Sequence, residues 1–235
     1  MISRLGVGSA HPGGFGATLA QLRRYPLPPG CRVLEVGCGT GRTSCHLASI
    51  GCRVTAVDRH PTMVAKAKRR AEAMNVALDV RTADACALPF PDGAFDVVFV
   101  ESVTGFVEAE AAFAEYGRVL KPGGSLYDRE LALKRPVAAD AAAELLTFFG
   151  LRQLWMAPQW LETAERAGFA ASELLELADY DENAAAERTA HLDPYEIVDE
   201  GAFGDMALWR MSAEYARLID ACRADLSSLL LRATK

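Results

Sequence analysis

The sequence predicts an α/β fold, a doubly wound Rossmann-like sheet with helices on both faces. Three observations predict it. Apolar runs of strand length alternate with segments of helical periodicity. A glycine-rich turn, Gly37, Gly39 and Gly41, joins the first such run to a helix. Acidic residues, Glu35, Asp58, Asp84 and Glu101, stand at or just beyond the C-terminal ends of four successive strands, the edge where open α/β sheets bind ligands.

Each element follows from its residues. After HPGG at 11–14, Phe15, Leu19 and Leu22 recur at helical spacing until PLPPG at 26–30 ends the helix, so residues 1–30 read as an N-terminal lid or packing helix. CRVLEV at 31–36 is continuously apolar, as suits a central strand covered on both faces. A helix runs from about Thr40 to a stop at Gly51. RVTAVD at 53–58 is the second strand, and Pro61 opens a second helix where a missing N–H costs nothing. KAKRR at 66–70 reads as the solvated face of that helix. LDVRTAD at 78–84 is strand three. The segment LPFPDGAFDVVFVES supplies a loop, an Asp-Gly turn and a fourth strand ending near Glu101.

A helix near 108–119 precedes a turn at Pro122, Gly123 and Gly124 into strand five, at about 125–130. Helices near 137–149 and 158–167 follow, and Gly168 ends the second. SELLELADY at 172–180 is strand six, and LSSLLLRAT at 226–234 is strand-like. If that last run returns to the sheet, residues 181–224 form a helical insertion lying over or beside the site, with Leu208, Met211, Tyr215, Leu218 and Cys222 at helical spacing. At 235 residues and 51% hydrophobic composition, the chain has the core of a single domain with a small elaboration.

Composition narrows the function classes. A net charge of -6, from 25 basic against 31 acidic residues, leaves no footprint for nucleic acid. No segment has the order of a signal peptide and no apolar run reaches membrane-span length, which predicts a cytoplasmic protein without a membrane partner. Cys31, Cys38, Cys45 and Cys52 fall seven apart but on a strand, a loop, a helix and the next strand, with no C-x-x-C pair. Neither a metal site nor a disulfide framework is expected.

Dinucleotide enzymes place a third small residue where this chain has Arg42, so that fingerprint fails. Glu35 lies beside the same turn, and a carboxylate there repels a phosphate. Two unit charges about 4 Å apart interact by about 4 kcal/mol at intermediate dielectric, so the ligand's sign matters. This disfavours an NAD-dependent oxidoreductase. A ligand suited to the four acids carries a sulfonium, an ammonium, a ribose diol and an exocyclic amine, and S-adenosylmethionine has all four.

VLEVGCGTGRTSCHLA at 33–48, VTAVDRHPTMVAKAK at 54–68, ADACALPFPDGAFDVVFVES at 83–102 and RVLKPGG at 118–124 together resemble the class I S-adenosylmethionine-dependent methyltransferases. They are most similar to the small-molecule branch that includes ubiquinone and menaquinone biosynthesis enzymes. The resemblance implies a seven-stranded sheet of order 3-2-1-4-5-7-6, mostly parallel with strand seven antiparallel. It implies that Gly37, Cys38, Gly39 and Gly41 pack against the cofactor's methionine portion, with Glu35 orienting the loop and the ammonium side. Asp58 would accept from both ribose hydroxyls, with Arg59 and Met63 flanking the adenine. Asp84 would accept from the adenine amine, the Ala85 N–H would donate to a ring nitrogen, and Glu101 would line the methionine end.

Glu101 is followed by Ser102, Val103 and Thr104, not by the Pro-Pro-aromatic pattern that holds a nucleobase amine, so the acceptor expected is a small molecule. In-line transfer draws on proximity, worth about 7–11 kcal/mol, and needs no dedicated base. Where a base serves, the candidates are His11, His191 and Glu101. His11 leads, because neighbouring glycines let the backbone approach a ligand closely. Tyr25, Trp155, Trp160 and Trp209 read as core residues, and His46 and His60 as helix residues. The alternative is a non-catalytic regulatory module that binds S-adenosylmethionine or S-adenosylhomocysteine.

Overall fold

The structure, a computed structural model, describes residues 2–180 and 189–235. Seven strands form one sheet of order β3-β2-β1-β4-β5-β7-β6. They are β1 (Arg32–Val36), β2 (Arg53–Asp58), β3 (Asp79–Thr82), β4 (Phe95–Glu101), β5 (Leu120–Leu133), β6 (Ala171–Asp179) and β7 (Leu226–Thr234). β1 to β5 pair in parallel, and β7 runs antiparallel to both β5 and β6. This is the expected order and handedness of pairing.

Helices cover both faces, which is why the inner strands are continuously apolar rather than alternating. On one face α2 (Gly14–Arg24), α3 (Arg42–Ser49) and α4 (Pro61–Met74) set Leu22, Leu47, Val64 and Ala67 against Val33, Val54, Ala56, Val97 and Phe99. On the other, α5 (Ala109–Val119) and α7 (Ala157–Arg166) bring Phe113, Tyr116 and Trp160 onto Leu34, Val98 and Leu126. A third cluster joins α6 (Ala139–Phe149) to α8 (Met206–Cys222) through Leu145, Leu218 and Ile219. The short α1 (Ile2–Leu5) lies at the N-terminus.

Several expectations are corrected. α3 starts at Arg42 rather than Thr40, because Gly41 at φ 80° occupies the cap. β5 spans Leu120–Leu133 and absorbs Pro122–Gly124 as an irregularity, its register shifting between Phe95 and Val97. Trp209 is 53% exposed, not core, whereas Trp160 is fully buried. KAKRR is not simply a solvated face, since Lys66 and Arg70 are 7% and 2% exposed. Both are held by the stretch 191–199. Arg70 grips Asp193 with two bonds of 2.6 and 2.8 Å, and Lys66 pairs with Asp199 at 2.6 Å and donates to the Ile197 carbonyl at 2.8 Å. Of the insertion expected at 181–224, residues 181–188 lie outside the described residues. Among the described residues no helix is long and apolar enough to cross a membrane.

Candidate functional site

The glycine turn is built by backbone that only glycine enters freely: Gly37, Gly39 and Gly41 have φ of 73°, 54° and 80°. Their surroundings differ. A Cβ on Gly37 would stand 2.1 Å from Val103 Cγ2, and one on Gly41 would stand 2.8 Å from Ala67 Cβ, so both are locked by packing. A Cβ on Gly39 would meet nothing within 4 Å, so this glycine forms the open side of a cradle. The N–H groups of Gly37 and Cys38 both donate to the Val57 carbonyl, at 2.8 and 2.9 Å, and that of Gly41 donates to Cys38 at 2.8 Å.

Asp58, the last residue of β2, closes the cradle. Its Oδ2 accepts from the Gly39 N–H at 3.0 Å and its Oδ1 from the His60 N–H at 2.8 Å. A carboxylate offers about four acceptor positions, so capacity remains for two further donors. Met63, near the start of α4, is buried, whereas Arg59 is exposed with its Nε 3.2 Å from His60 Nε2. Asp84 is exposed beyond β3, where its Oδ1 accepts from the Cys86 N–H at 2.8 Å, and Ala85 is buried.

Glu35 and Glu101 emerge on the α3 face of the sheet. Glu35 is buried and accepts the Ser44 hydroxyl, and burial pushes its carboxyl well above the usual range, with Glu101 and Asp58 adding repulsion. Its charge is thereby suppressed, so the electrostatic selection expected of all four acids rests on the others. Burial likewise raises the Cys38 thiol, which stays neutral. Glu101 gathers side chains from three elements. Thr18 of α2 donates to its Oε1 at 2.7 Å, Thr43 of α3 to its Oε2 at 2.9 Å, and His11 Nε2 stands 3.5 Å from Oε1. His11 is buried, with Nδ1 3.3 Å from the Pro12 carbonyl. His191 makes an edge contact with Phe15, at 6.5 Å between ring centres.

Comparison with known proteins places this geometry. Residues 34–128 match the family described as methyltransferase domain. An uncharacterized methyltransferase of Bacillus subtilis, YodH, is 34% identical over 199 residues, which cover 85% of this chain and 84% of that protein. The chain belongs to the class I S-adenosylmethionine-dependent methyltransferases. The methyltransferase is also 43% identical over 98 residues to a demethylmenaquinone methyltransferase of Thermus thermophilus, covering 40% of this chain and 44% of that one. Among solved structures, phosphoethanolamine N-methyltransferase 2 of Haemonchus contortus with S-adenosyl-L-methionine superposes with a TM-score of 0.80 at 23% identity. That match covers 100% of this chain and 56% of the other, and it speaks to the fold.

The cradle suits the cofactor of this methyltransferase, since its open side is at Gly39 and the adjoining carboxylate keeps acceptor capacity. Sequence reasoning missed the hydroxyls that orient the acids: Thr18, Thr43 and Ser44. Thr43 and Ser44 follow the glycine turn directly, so their place at the start of α3 was the available signal. Thr18 carried none, because its partner Glu101 lies 83 residues away. Also missed was Arg42's role: it lies 4.2 Å over the Phe15 ring and donates to the His191 carbonyl at 2.5 Å, tying α2, α3 and the 189–205 stretch together.

Proposed function

We propose that this methyltransferase carries the methyl group of S-adenosylmethionine to a small-molecule acceptor, within a single domain in which residues 2–30 and 189–224 cover the site. Asp58 holds the ribose diol, Gly37, Cys38, Gly39 and Gly41 bed the methionine portion, and Glu35 keeps the α3 start in register through Ser44. Arg59 and Met63 border the adenine, with Asp84 and Ala85 at its polar edge. Glu101 lines the methionine end. When bound, the cofactor would supply a methyl carbon on a sulfonium, open to in-line attack in which the nucleophile–carbon bond forms as the carbon–sulfur bond breaks and a neutral thioether leaves.

The chain's own work is to bind, orient and receive a proton. His11 is the group placed to do the last. Its Nδ1 stands 3.3 Å from the Pro12 carbonyl and its Nε2 3.3 Å from Thr18 Oγ1 and 3.5 Å from Glu101 Oε1, so one of these contacts must open for the ring to reach an acceptor's proton. Relatives named as a demethylmenaquinone methyltransferase and, in Pyrenophora dematioidea, an O-methyltransferase support a small acceptor. The observation that carries the reading is Asp58, buried at the end of β2 and bonded to Gly39, the glycine of this turn whose Cβ position is open. Calorimetry with S-adenosylhomocysteine and with NADH tests it: the first binds and the second does not. A screen of hydroxyl, amine and carbon-acid acceptors with labelled cofactor then reads turnover, and tight cofactor binding without methyl loss throughout would favour a regulatory module.

A further inference from the structure

Two acids that play no part above lie beneath the loop following β4. Asp128 and Glu130 occupy alternate positions of β5, so both emerge on the α5 face while Arg129 emerges on the other, toward Gln21, Ser228 and Glu176. They are 0% and 1% exposed, and register sets Asp128 beside Val100 and Arg129 beside Glu101, at the edge that carries the site. Glu130 Oε1 accepts two backbone N–H groups, from Val103 at 2.8 Å and Thr104 at 2.7 Å. Asp128 Oδ2 accepts the Thr104 hydroxyl at 2.7 Å. Asp128 Oδ1 is fully buried with no hydrogen-bond partner among the described residues, and the two carboxyls lie on one strand face two residues apart, both bonded to Thr104.

Two fully buried carboxyls side by side on one strand face, with no cation bonded to either among the described residues and one oxygen left without a donor, cannot both ionise. We propose that Asp128 and Glu130 share a proton and act as a positioning pair, fixing the loop at 102–107 so that Val103 packs over Gly37 and shapes the cofactor cradle. The shared proton gives the orphan Oδ1 its partner. Burial raises both acids, Asp128 to about 7 and Glu130 well above the carboxylate range, so a proton is still present at neutral pH. The loop needs such a hold. Ser102 sits at φ 55°, a conformation costly for a non-glycine residue, with its N–H on the Arg129 carbonyl at 2.7 Å.

The pair's surroundings are otherwise neutral. From α5 the Tyr116 hydroxyl stands 3.4 Å from Thr104 Oγ1, and burial keeps that phenol protonated. Gln153 donates to the Thr104 and Val107 carbonyls at 2.5 and 3.1 Å. β7 places Leu231 and Leu229 beside the two acids, and Cys86 is the remaining titratable neighbour, its thiol raised by burial.

Infrared spectroscopy of the whole chain reads the shared proton directly and without turnover. A carbonyl stretch of a protonated carboxyl, beyond the one that buried Glu35 contributes, is expected in the wild type at neutral pH and is lost in Glu130→Gln, whose amide N–H replaces the proton. S-adenosylhomocysteine affinity reads the positioning role, which rests on the cofactor assignment above. Glu130→Gln is expected to stay near wild type, whereas Glu130→Ala and Thr104→Val weaken binding by roughly tenfold or more, the equivalent of about one pKa unit of interaction. The alkaline limb of the kcat/KM profile should flatten in Glu130→Gln. Should Glu130→Ala fail to fold, Thr104→Val still decides. Identical infrared bands in wild type and Glu130→Gln overturn the shared proton, and wild-type affinity in Thr104→Val overturns the positioning role. A wild type that binds no S-adenosylhomocysteine but keeps the band refutes the cofactor assignment alone.

Discussion

Asp58→Ala removes an acceptor that serves two parties at once. In the protein, its two oxygens take the Gly39 and His60 N–H groups at 3.0 and 2.8 Å. Each net hydrogen bond of that kind contributes about 0.5–1.5 kcal/mol, so the variant loses about 1–3 kcal/mol of stability. For a chain of this length each kcal/mol lowers Tm by about 2–4 °C. Toward the ligand, ribose hydroxyls donating to a charged acceptor lose about 1–3 kcal/mol when it is deleted, and each 1.4 kcal/mol is about tenfold in Kd. Calorimetric titration with S-adenosylhomocysteine should therefore show affinity falling by roughly five- to 150-fold, alongside a lowered melting temperature. A folded Asp58→Ala protein with unchanged affinity would remove Asp58 from the site, and with it the argument that strand-end acids select the ligand.

Gly37→Ala should mainly unfold, because the new methyl group meets Val103, whereas Gly39→Ala has room, so its affinity for S-adenosylhomocysteine should drop further than its Tm. Melting curves and titrations on both variants separate the two. Asp193→Ala leaves buried Arg70 its bonds to Thr40 but no opposite charge and should destabilise by about 3–5 kcal/mol, read by urea unfolding. Glu35 has a raised pKa in the fold, so its stabilisation is full below the unfolded value of about 4.3 and is lost as pH rises toward the folded one. Glu35→Gln should therefore gain stability relative to wild type as pH rises above the unfolded value of about 4.3, as measured by thermal melts, and an unchanged difference would refute the sign. His11→Asn should lower kcat by about 10²–10⁴ while leaving cofactor affinity near wild type, if the acceptor must lose a proton.

The strand order was legible because inner strands covered on both faces must be apolar throughout, and RVLEV, RVTAVD and FDVVFVE are nearly so. Asp58 and Glu101 stood out as the charges ending such runs. Lys66 and Arg70 did not, because what buries them lies far along the chain, 131 and 123 residues away. Within α4 alone they look like any exposed cation at helical spacing. Asp128 and Glu130 were hidden for a related reason: alternate acids on a strand match the pattern of a solvated face, and only α5 and Gln153 make that face an interior. The extent of β5 was obscured by Pro122–Gly124, turn residues that here sit within a bulged strand.

The glycine turn also bears on why a phosphorylated ligand is disfavoured. A diphosphate is held at such turns by N–H groups that have no other acceptor, assisted by a nearby cation. Here the N–H groups of Gly37, Cys38, Gly39 and Gly41 each already donate within the protein, to Val57, Val57, Asp58 and Cys38. The cation at the start of α3, Arg42, is turned onto the Phe15 ring and the His191 carbonyl. What the turn has left are acceptors, the remaining lone pairs of Asp58 and of Glu101. A ligand bringing donors, an ammonium and a ribose diol, completes that set, whereas a phosphate adds acceptors to acceptors and meets uncompensated negative charge. The failed fingerprint at Arg42 is thus the outward sign of a donor inventory already closed, and Asp58→Asn, which returns one donor to the rim, should weaken S-adenosylhomocysteine binding without creating affinity for NADH.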